Sequence, residues 1–115
     1  MLHNTTKNTL LANTIRYAST PLKKLLGLMF SKEHKHSALI FPSNKEKIQS
    51  LHMLFVFYPI DVIFLNKDKE IVELKENFKP FTFYKSKEKA QYILELPKNT
   101  IKQSQSSVGD NIRFK

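Results

Sequence analysis

The chain has 115 residues, of which 41% are hydrophobic and 25% are charged, and these values fit one folded domain rather than two domains or a disordered segment. It contains no cysteine, which excludes disulfides, thiolate catalysis and cysteine-ligated zinc. The net charge of +9 is compatible with a nucleic acid or an acidic membrane as partner. Only Arg16 and Arg113 are arginines, however, and base-specific or bidentate phosphate contacts favour arginine over lysine.

The first half of the chain is predicted to contain three strands and one short helix. The helix is predicted over residues 21–26, because Thr20 is a good N-cap and Gly27 suits the left-handed position that ends a helix. Proline cannot donate to a β-ladder, so Pro42 and Pro59 are expected to end the strands that precede them. The predicted strands cover residues 9–17, 37–41 and 48–58.

The second half is predicted to contain a hairpin and two further strands. Residues 61–65 and 70–75 flank a polar turn and form the clearest hairpin. Residues 77–84 are expected to be irregular, and residues 86–90 to form one helical turn. The last strands are predicted at 91–96 and 111–114, separated by a turn at 108–110. The predicted fold is therefore an all-β, barrel-like single domain over residues 1–115, with one to three short helices.

Four motifs, taken together, resemble a known family. They are Lys24-Leu-Leu-Gly-Leu-Met-Phe30, the long apolar run from Leu51 to Leu65, Tyr92-Ile-Leu-Glu-Leu-Pro97 and Val108-Gly-Asp110. In order and spacing they resemble the domain of unknown function 192 family, in its archaeal form, over about residues 9–114. The structural positions of this pattern are Gly27, Met29, Met53, Pro59 and Gly109. The resemblance implies a compact β-barrel-like domain with short helices, and it implies no activity.

Two departures from the family pattern limit what can be inferred from the resemblance about a ligand surface and a turn. Many relatives have Trp-Met followed by polar residues where this chain has Leu51-His-Met-Leu-Phe, and this change alters any ligand surface there. Many relatives have glycine where this chain has Asn99. Asparagine also tolerates the left-handed conformation, so we expect that turn to be retained.

Four polar residues are candidates for a site. His52 lies in an apolar run, where it is either a hydrogen-bonded core residue or an imidazole facing a pocket. Asp61 must be paired in its apolar setting, either capping the turn after Pro59 or serving as a base or cation ligand. Alternation places Glu95 on the solvent face of a strand or inside a barrel, and Asp110 is most simply a turn residue. An enzyme or small-ligand site requires the first three to converge.

A second candidate is a nucleic-acid surface in which lysines alternate with aromatic residues. Its members are Lys75, Lys79, Phe81, Phe83 and Lys85, which would attract phosphates and stack on bases if they were exposed. The alternative is that the phenylalanines belong to the core, and that alternative applies to Phe55, Phe57, Phe64, Phe78, Phe81 and Phe83.

No catalytic residue and no cofactor is predicted. The chain has two glycines and neither a phosphate-binding glycine loop nor a nucleophile elbow. His34 and His36 fit an exposed loop better than a metal site, and the apolar run is too short and too polar to span a membrane. The absence of a signal-peptide pattern predicts a cytoplasmic location. The leading hypothesis is a non-enzymatic binding or accessory module, followed by a sequence-independent nucleic-acid binder and then by an enzyme or small-ligand barrel.

Overall fold

The computed structural model describes residues 1–17, 37–52, 59–79 and 82–114. Within these ranges the chain forms eight strands and one helix of five residues, which confirms the all-β prediction. The strands are β1 Leu2–Asn4, β2 Thr9–Ala12, β3 Thr14–Tyr17, β4 Ser37–His52, β5 Ile60–Leu65, β6 Ile71–Phe78, β7 Phe83–Pro97 and β8 Ile112–Arg113, and the helix is α1 Thr100–Ser104. The helix predicted at 21–26, together with Gly27, Met29 and Met53, lies outside the described residues.

The described strands are arranged in two sheets. The larger sheet has the order β3-β4-β7-β5-β6 and is antiparallel except for the parallel pair β3–β4. The smaller sheet has the order β2-β1-β8 and is antiparallel. The described strands therefore form two sheets, and no closed barrel occurs among them.

The larger sheet is covered on both faces, because β5 is buried at every position. One face carries a core cluster that includes Leu39, Val62 and Phe64. The other face packs Ile63 and Leu94, among others, against residues of the smaller sheet and of α1. We call these the first and the second face. Continuous apolar runs are typical of strands that are covered on both sides.

Two segments differ from the sequence prediction because the strands contain bulges. Pro42 does not end its strand: the register passes from the Pro42–Tyr92 pair to the Lys47–Ala90 pair, so the intervening residues of β4 form a bulge. A bulge accommodates the missing proline donor without ending the strand. Residues 86–90, predicted as a helical turn, belong to β7.

Several local predictions are confirmed. Residues 61–65 form a strand, and Asn66 accepts hydrogen bonds from the backbone N–H groups of Asp68 and Glu70 in the predicted polar turn.

Gly109 has a φ of 98° in the turn before β8, where the Asp110 N–H donates to the Ser107 carbonyl. Asn99 takes the left-handed conformation with a φ of 76°, as expected of a replacement for glycine. The helix α1, which follows it, was not predicted.

Candidate functional site

Asp61 and Glu95 lie on opposite faces of the larger sheet. In the β5–β7 pair, Asp61 is opposite Leu96 and Glu95 is opposite Val62. Leu96 belongs to the core of the second face and Val62 to that of the first. Because directly paired residues share a face of a sheet, the two carboxylates are separated by the sheet itself. The structure therefore does not bring them together in one cleft.

Asp61 is a structural acceptor that connects three elements. Its side chain is 1% exposed. Its Oδ1 accepts a hydrogen bond from the Asn77 N–H in β6 at 3.0 Å, and its Oδ2 accepts one from the Ile101 N–H in α1 at 2.9 Å. Both carboxylate oxygens are therefore engaged by backbone groups, as the burial of such a group requires.

Glu95 is a buried carboxyl group in apolar surroundings. It is 1% exposed, between Leu39 of β4 and Val62 of β5 on the first face. Its Oε2 has no hydrogen-bond partner among the described residues. Burial raises the pKa of Glu95 to about 8, because the apolar surroundings disfavour the charged form. Glu95 therefore carries a proton over most of the physiological pH range, and it does not lie on the solvent face.

Asp110 closes a polar network that joins the two ends of the chain. Its carboxylate accepts hydrogen bonds from Asn4 Nδ2 at 2.9 Å, from Lys7 Nζ at 2.8 Å and from the Ser107 N–H at 2.9 Å. Burial alone would raise the pKa of Asp110, but the hydrogen bonds from Asn4, Lys7 and Ser107 and the Lys7 charge outweigh it and lower the pKa. Asp110 therefore stabilises the turn in which it lies and also connects this turn to residues near the N-terminus.

We expect Asp110→Asn to lower the free energy of unfolding by about 2 kcal/mol at pH 7, because the Lys7 ion pair and a charge-assisted hydrogen bond are lost. The wild-type pKa is depressed, so this stability is present above the unfolded value near 4 and is lost as the pH falls through the folded value. Urea unfolding at pH 7 and at pH 2.5 measures the difference, which should shrink at the lower pH. The exposed Asp68→Asn is the control, and an Asp110→Asn deficit that stays constant with pH would contradict this role.

His52 is the last residue of β4, and its backbone pairs with that of Phe83 in β7. Asp61 and Asp110 are held by different elements, and neither lines either of two grooves in the described ranges. One groove, of about 360 Å³, is lined by Leu11, Pro97 and Thr100 among others. The other, of about 720 Å³, is lined by Tyr17 and Arg113 among others.

The lysine-aromatic candidates do not lie on one face of the larger sheet. Phe83 and Lys85 are exposed on the second face, beyond the part that the smaller sheet covers. Lys75 is half-buried on the first face, with its Nζ 5.2 Å from the centre of the Tyr84 ring. Lys79 is exposed just after β6, and Phe81 lies outside the described residues.

Lys87 and Lys89 continue the exposed row that Phe83 and Lys85 begin. All four side chains are exposed, and Phe83 retains 57% of its accessible surface. Tyr84, Ser86 and Ala90 are at least half-buried, whereas Glu88, between Lys87 and Lys89, is exposed like its neighbours. We call Phe83, Lys85, Lys87 and Lys89 the basic strip. Its lysine members beyond Lys85 were missed because residues 86–90 were assigned to a helical turn, although the recurrence of lysine at every second position from 85 to 89 was the available signal.

The phenylalanines that were predicted to form the core differ in burial. Phe64 and Phe78 are fully buried in the core of the first face, as predicted. Phe83 is exposed and does not belong to that core. Phe55, Phe57 and Phe81 lie outside the described residues, as do His34 and His36.

The fold and its surface define a small two-sheet β domain with an exposed row of lysines along one long strand. The chain belongs to the domain of unknown function 192 family, described as uncharacterised ACR, whose model matches residues 2–114. The family resemblance of the sequence motifs is thereby confirmed.

The chain is similar to archaeal proteins of the uncharacterised family UPF0127. One, from Pyrococcus furiosus, is 38% identical over 111 residues, which cover 96% of this chain and 95% of the relative. Another, from Pyrococcus horikoshii, is 32% identical over 114 residues, which cover 99% of this chain and 98% of the relative. These similarities confirm the archaeal type of the family.

Two crystal structures are similar in fold. A protein of Sinorhizobium meliloti 1021, named a "putative transcription regulator", has a TM-score of 0.75 and 25% identity over 86% of this chain and 79% of its own. A protein of unknown function from Novosphingobium aromaticivorans has a TM-score of 0.74 and 22% identity, over 87% of this chain and 74% of its own. The second similarity concerns the fold alone.

The described ranges contain neither a membrane-spanning helix nor a cluster of metal-ligating side chains. No helix in them is long and apolar enough to cross a bilayer. No group of three or more His, Asp or Glu side chains in them is arranged to hold a metal ion.

Proposed function

We propose that this protein is a non-enzymatic binding module that holds single-stranded nucleic acid, without sequence preference, on the basic strip. The observation that carries the proposal is the exposure of three lysines and one phenylalanine close together in one section of β7. Lysine attracts phosphates as a point charge and does not distinguish bases. An exposed aromatic ring offers any base a surface on which to stack.

The geometry of the strip favours a single strand over a duplex. Lys85 and Lys89 pair with Ser50 and Ile48, which are alternate residues of β4 and therefore roughly 6.6 Å apart. Because β7 bulges between them, the backbone positions of the three lysines lie closer together than in a regular strand, where they can contact neighbouring phosphates of one extended backbone. Reading a duplex commonly uses a helix or a two-stranded ribbon in the major groove, and the only helix among the described residues has five residues, three of them buried.

The competing hypothesis of an enzyme or small-ligand site has less support. It requires His52, Asp61 and Glu95 to converge, whereas the larger sheet separates the last two. The name of the Sinorhizobium meliloti relative is in keeping with a nucleic-acid partner. We place the encounter with that partner in the cytoplasm, the location that the sequence predicts.

The test is fluorescence anisotropy of a labelled 20-nucleotide oligo(dT) or oligo(U), titrated with protein at several salt concentrations. We expect micromolar binding that persists at 150 mM salt. The triple variant Lys85→Gln, Lys87→Gln, Lys89→Gln should bind at least 10-fold more weakly. The slope of log K against log salt should fall by roughly 2, since each phosphate contact on a single strand contributes about 0.7.

A second triple variant, Lys67→Gln, Lys98→Gln, Lys102→Gln, removes the same charge from exposed positions outside the strip. It should retain most of the affinity. Equal weakening by the two triple variants would mean attraction by net charge alone and would overturn the proposal. Phe83→Ala should weaken binding to the oligonucleotide several-fold but leave binding to inorganic polyphosphate, which has no bases, unchanged.

A further inference from the structure

One buried carboxylate holds the part of β7 on which the lysines of the basic strip stand. Glu73, in β6, is 8% exposed. Its Oε1 accepts hydrogen bonds from the Lys87 N–H at 2.8 Å and the Glu88 N–H at 2.9 Å, and its Oε2 accepts one from the Tyr84 hydroxyl. A single side chain therefore accepts hydrogen bonds from three residues of β7.

These contacts occur where the ladder between β4 and β7 is interrupted. The register passes from the Ser50–Lys85 pair to the Ile48–Lys89 pair, so that Gln49 alone faces three residues of β7. A bulge of this kind leaves backbone groups without ladder partners and redirects the side chains that it carries. The two N–H groups that donate to Glu73 belong to this bulge.

Ser86 completes the bulge on the side of β4. Its hydroxyl accepts a hydrogen bond from the Gln49 N–H at 2.8 Å and donates one to the Glu88 carbonyl at 2.9 Å. Gln49 in turn donates from Nε2 to the Ala90 carbonyl at 2.9 Å. The bulge therefore has a defined conformation, in which side-chain hydrogen bonds replace the missing ladder.

Tyr84 is a suitable third donor to Glu73. Burial, and then its hydrogen bond to Glu73 and the charge of Glu73, raise the pKa of Tyr84 to about 12. The phenol therefore keeps its proton throughout the neutral range and continues to donate. The Lys75 ammonium lies over the Tyr84 ring and places a positive charge beside this half-buried side chain.

We infer that Glu73 is the positioning residue of the basic strip: its carboxylate holds the bulge so that Lys85, Lys87 and Lys89 face the same side and contact consecutive phosphates together. This inference rests on the proposed function. Glu73 itself points to the opposite face and does not touch the nucleic acid.

The inference predicts an effect opposite in sign to that of simple electrostatics. Glu73→Gln removes a negative charge close to the lysines, so Coulomb attraction alone would strengthen binding to a polyanion. An amide has one acceptor oxygen in place of two, and it presents N–H donors to other donors. If Glu73 positions the strip, the variant should bind oligo(dT) 5- to 10-fold more weakly at 150 mM salt. Its salt slope should fall by about 1, because fewer phosphates are contacted together.

Two control variants separate positioning from charge and from stability. Glu88→Gln removes the same charge beside the same lysines, and no hydrogen bond of the Glu88 carboxylate is found within the described ranges; it should bind as tightly as the wild type or more tightly. Asn4→Ala breaks the buried network at the joined termini and lowers stability away from the strip. It should leave the affinity and the salt slope unchanged at a temperature at which it is folded.

The outcomes distinguish this inference from the proposed function. If Glu73→Gln binds as tightly as Glu88→Gln with an unchanged salt slope, the inference is overturned while the proposed function stands. If the wild type itself binds no better than the Lys85, Lys87, Lys89 triple variant, the proposed function fails and the inference fails with it. Tyr84→Phe removes only the third hydrogen bond and gives the same test in a milder form, with a smaller weakening, should Glu73→Gln not fold.

Discussion

Replacing Glu95 with glutamine should largely remove one part of the pH dependence of stability. Burial raises the pKa of Glu95 to about 8, whereas the unfolded chain releases this proton near pH 4.5. The folded state therefore holds more protons between these values, and the wild-type free energy of unfolding declines as the pH rises from 4.5 to 8. The decline that this residue causes is on the order of 4 kcal/mol, and it levels off above pH 8. A glutamine has no charge to bury and contributes no such decline.

Urea unfolding of the wild type and Glu95→Gln at half-unit steps from pH 4.5 to 9 measures this effect. The quantity of interest is the difference between the two curves, because the other titrating groups cancel in it. That difference should grow in favour of the glutamine variant as the pH rises. The exposed Glu88→Gln should give a curve parallel to the wild type. Parallel curves for Glu95→Gln as well would mean that Glu95 is solvated or paired in solution.

Removing the Asp61 carboxylate should destabilise the fold by roughly 3 kcal/mol. Asp61→Ala leaves the buried N–H group of Ile101 and the partly buried N–H group of Asn77 without their acceptor, and hydrogen bonds to charged groups are among the stronger ones. For a domain of this size the loss corresponds to a fall in the melting temperature of roughly 10 to 15 °C. Thermal unfolding followed by circular dichroism measures it.

The matched control is Asp68→Ala, at an exposed position in the turn between β5 and β6. It should change stability by about 0.5 kcal/mol or less. Asp61→Asn retains one acceptor oxygen and should give an intermediate loss. If Asp61→Ala were no more destabilising than Asp68→Ala, the two backbone hydrogen bonds would not contribute in solution, and a functional reading of this carboxylate would regain support.

The polar candidates illustrate how far a single sequence reaches. The apolar setting of Asp61 predicts a paired or capping carboxylate, and Asp110 is predicted as a turn residue; in the structure both carboxylates accept hydrogen bonds from backbone N–H groups. Their partners could not be named, because Ile101 is 40 residues from Asp61 and Asn4 is 106 residues from Asp110. Glu95 had two predicted environments, since alternation assigns a residue to a face but does not reveal what covers that face.

The basic strip was found only in part for a different reason. Phe83 and Lys85 were recognised as candidates, whereas Lys87 and Lys89 were hidden by a predicted helical turn. Local preference cannot distinguish such a turn from a bulged strand when the hydrogen bonds that stabilise the bulge come from Glu73 and Gln49, in other strands. Lys75 is close to the strip in sequence, but it lies in β6 and its side chain is on the first face of the larger sheet.

The sequence by itself determined the family, the all-β class, the hairpin of β5 and β6 and the turns at Asn99 and Gly109. These features depend on short-range preferences: apolar runs, turn-forming residues and backbone conformations open to asparagine and glycine. The tertiary structure alone decided which face each polar residue occupies and which lysines stand together. The reason is that one inserted residue in a strand reverses the faces of the residues that follow, and whether a bulge forms depends on hydrogen bonds to distant strands.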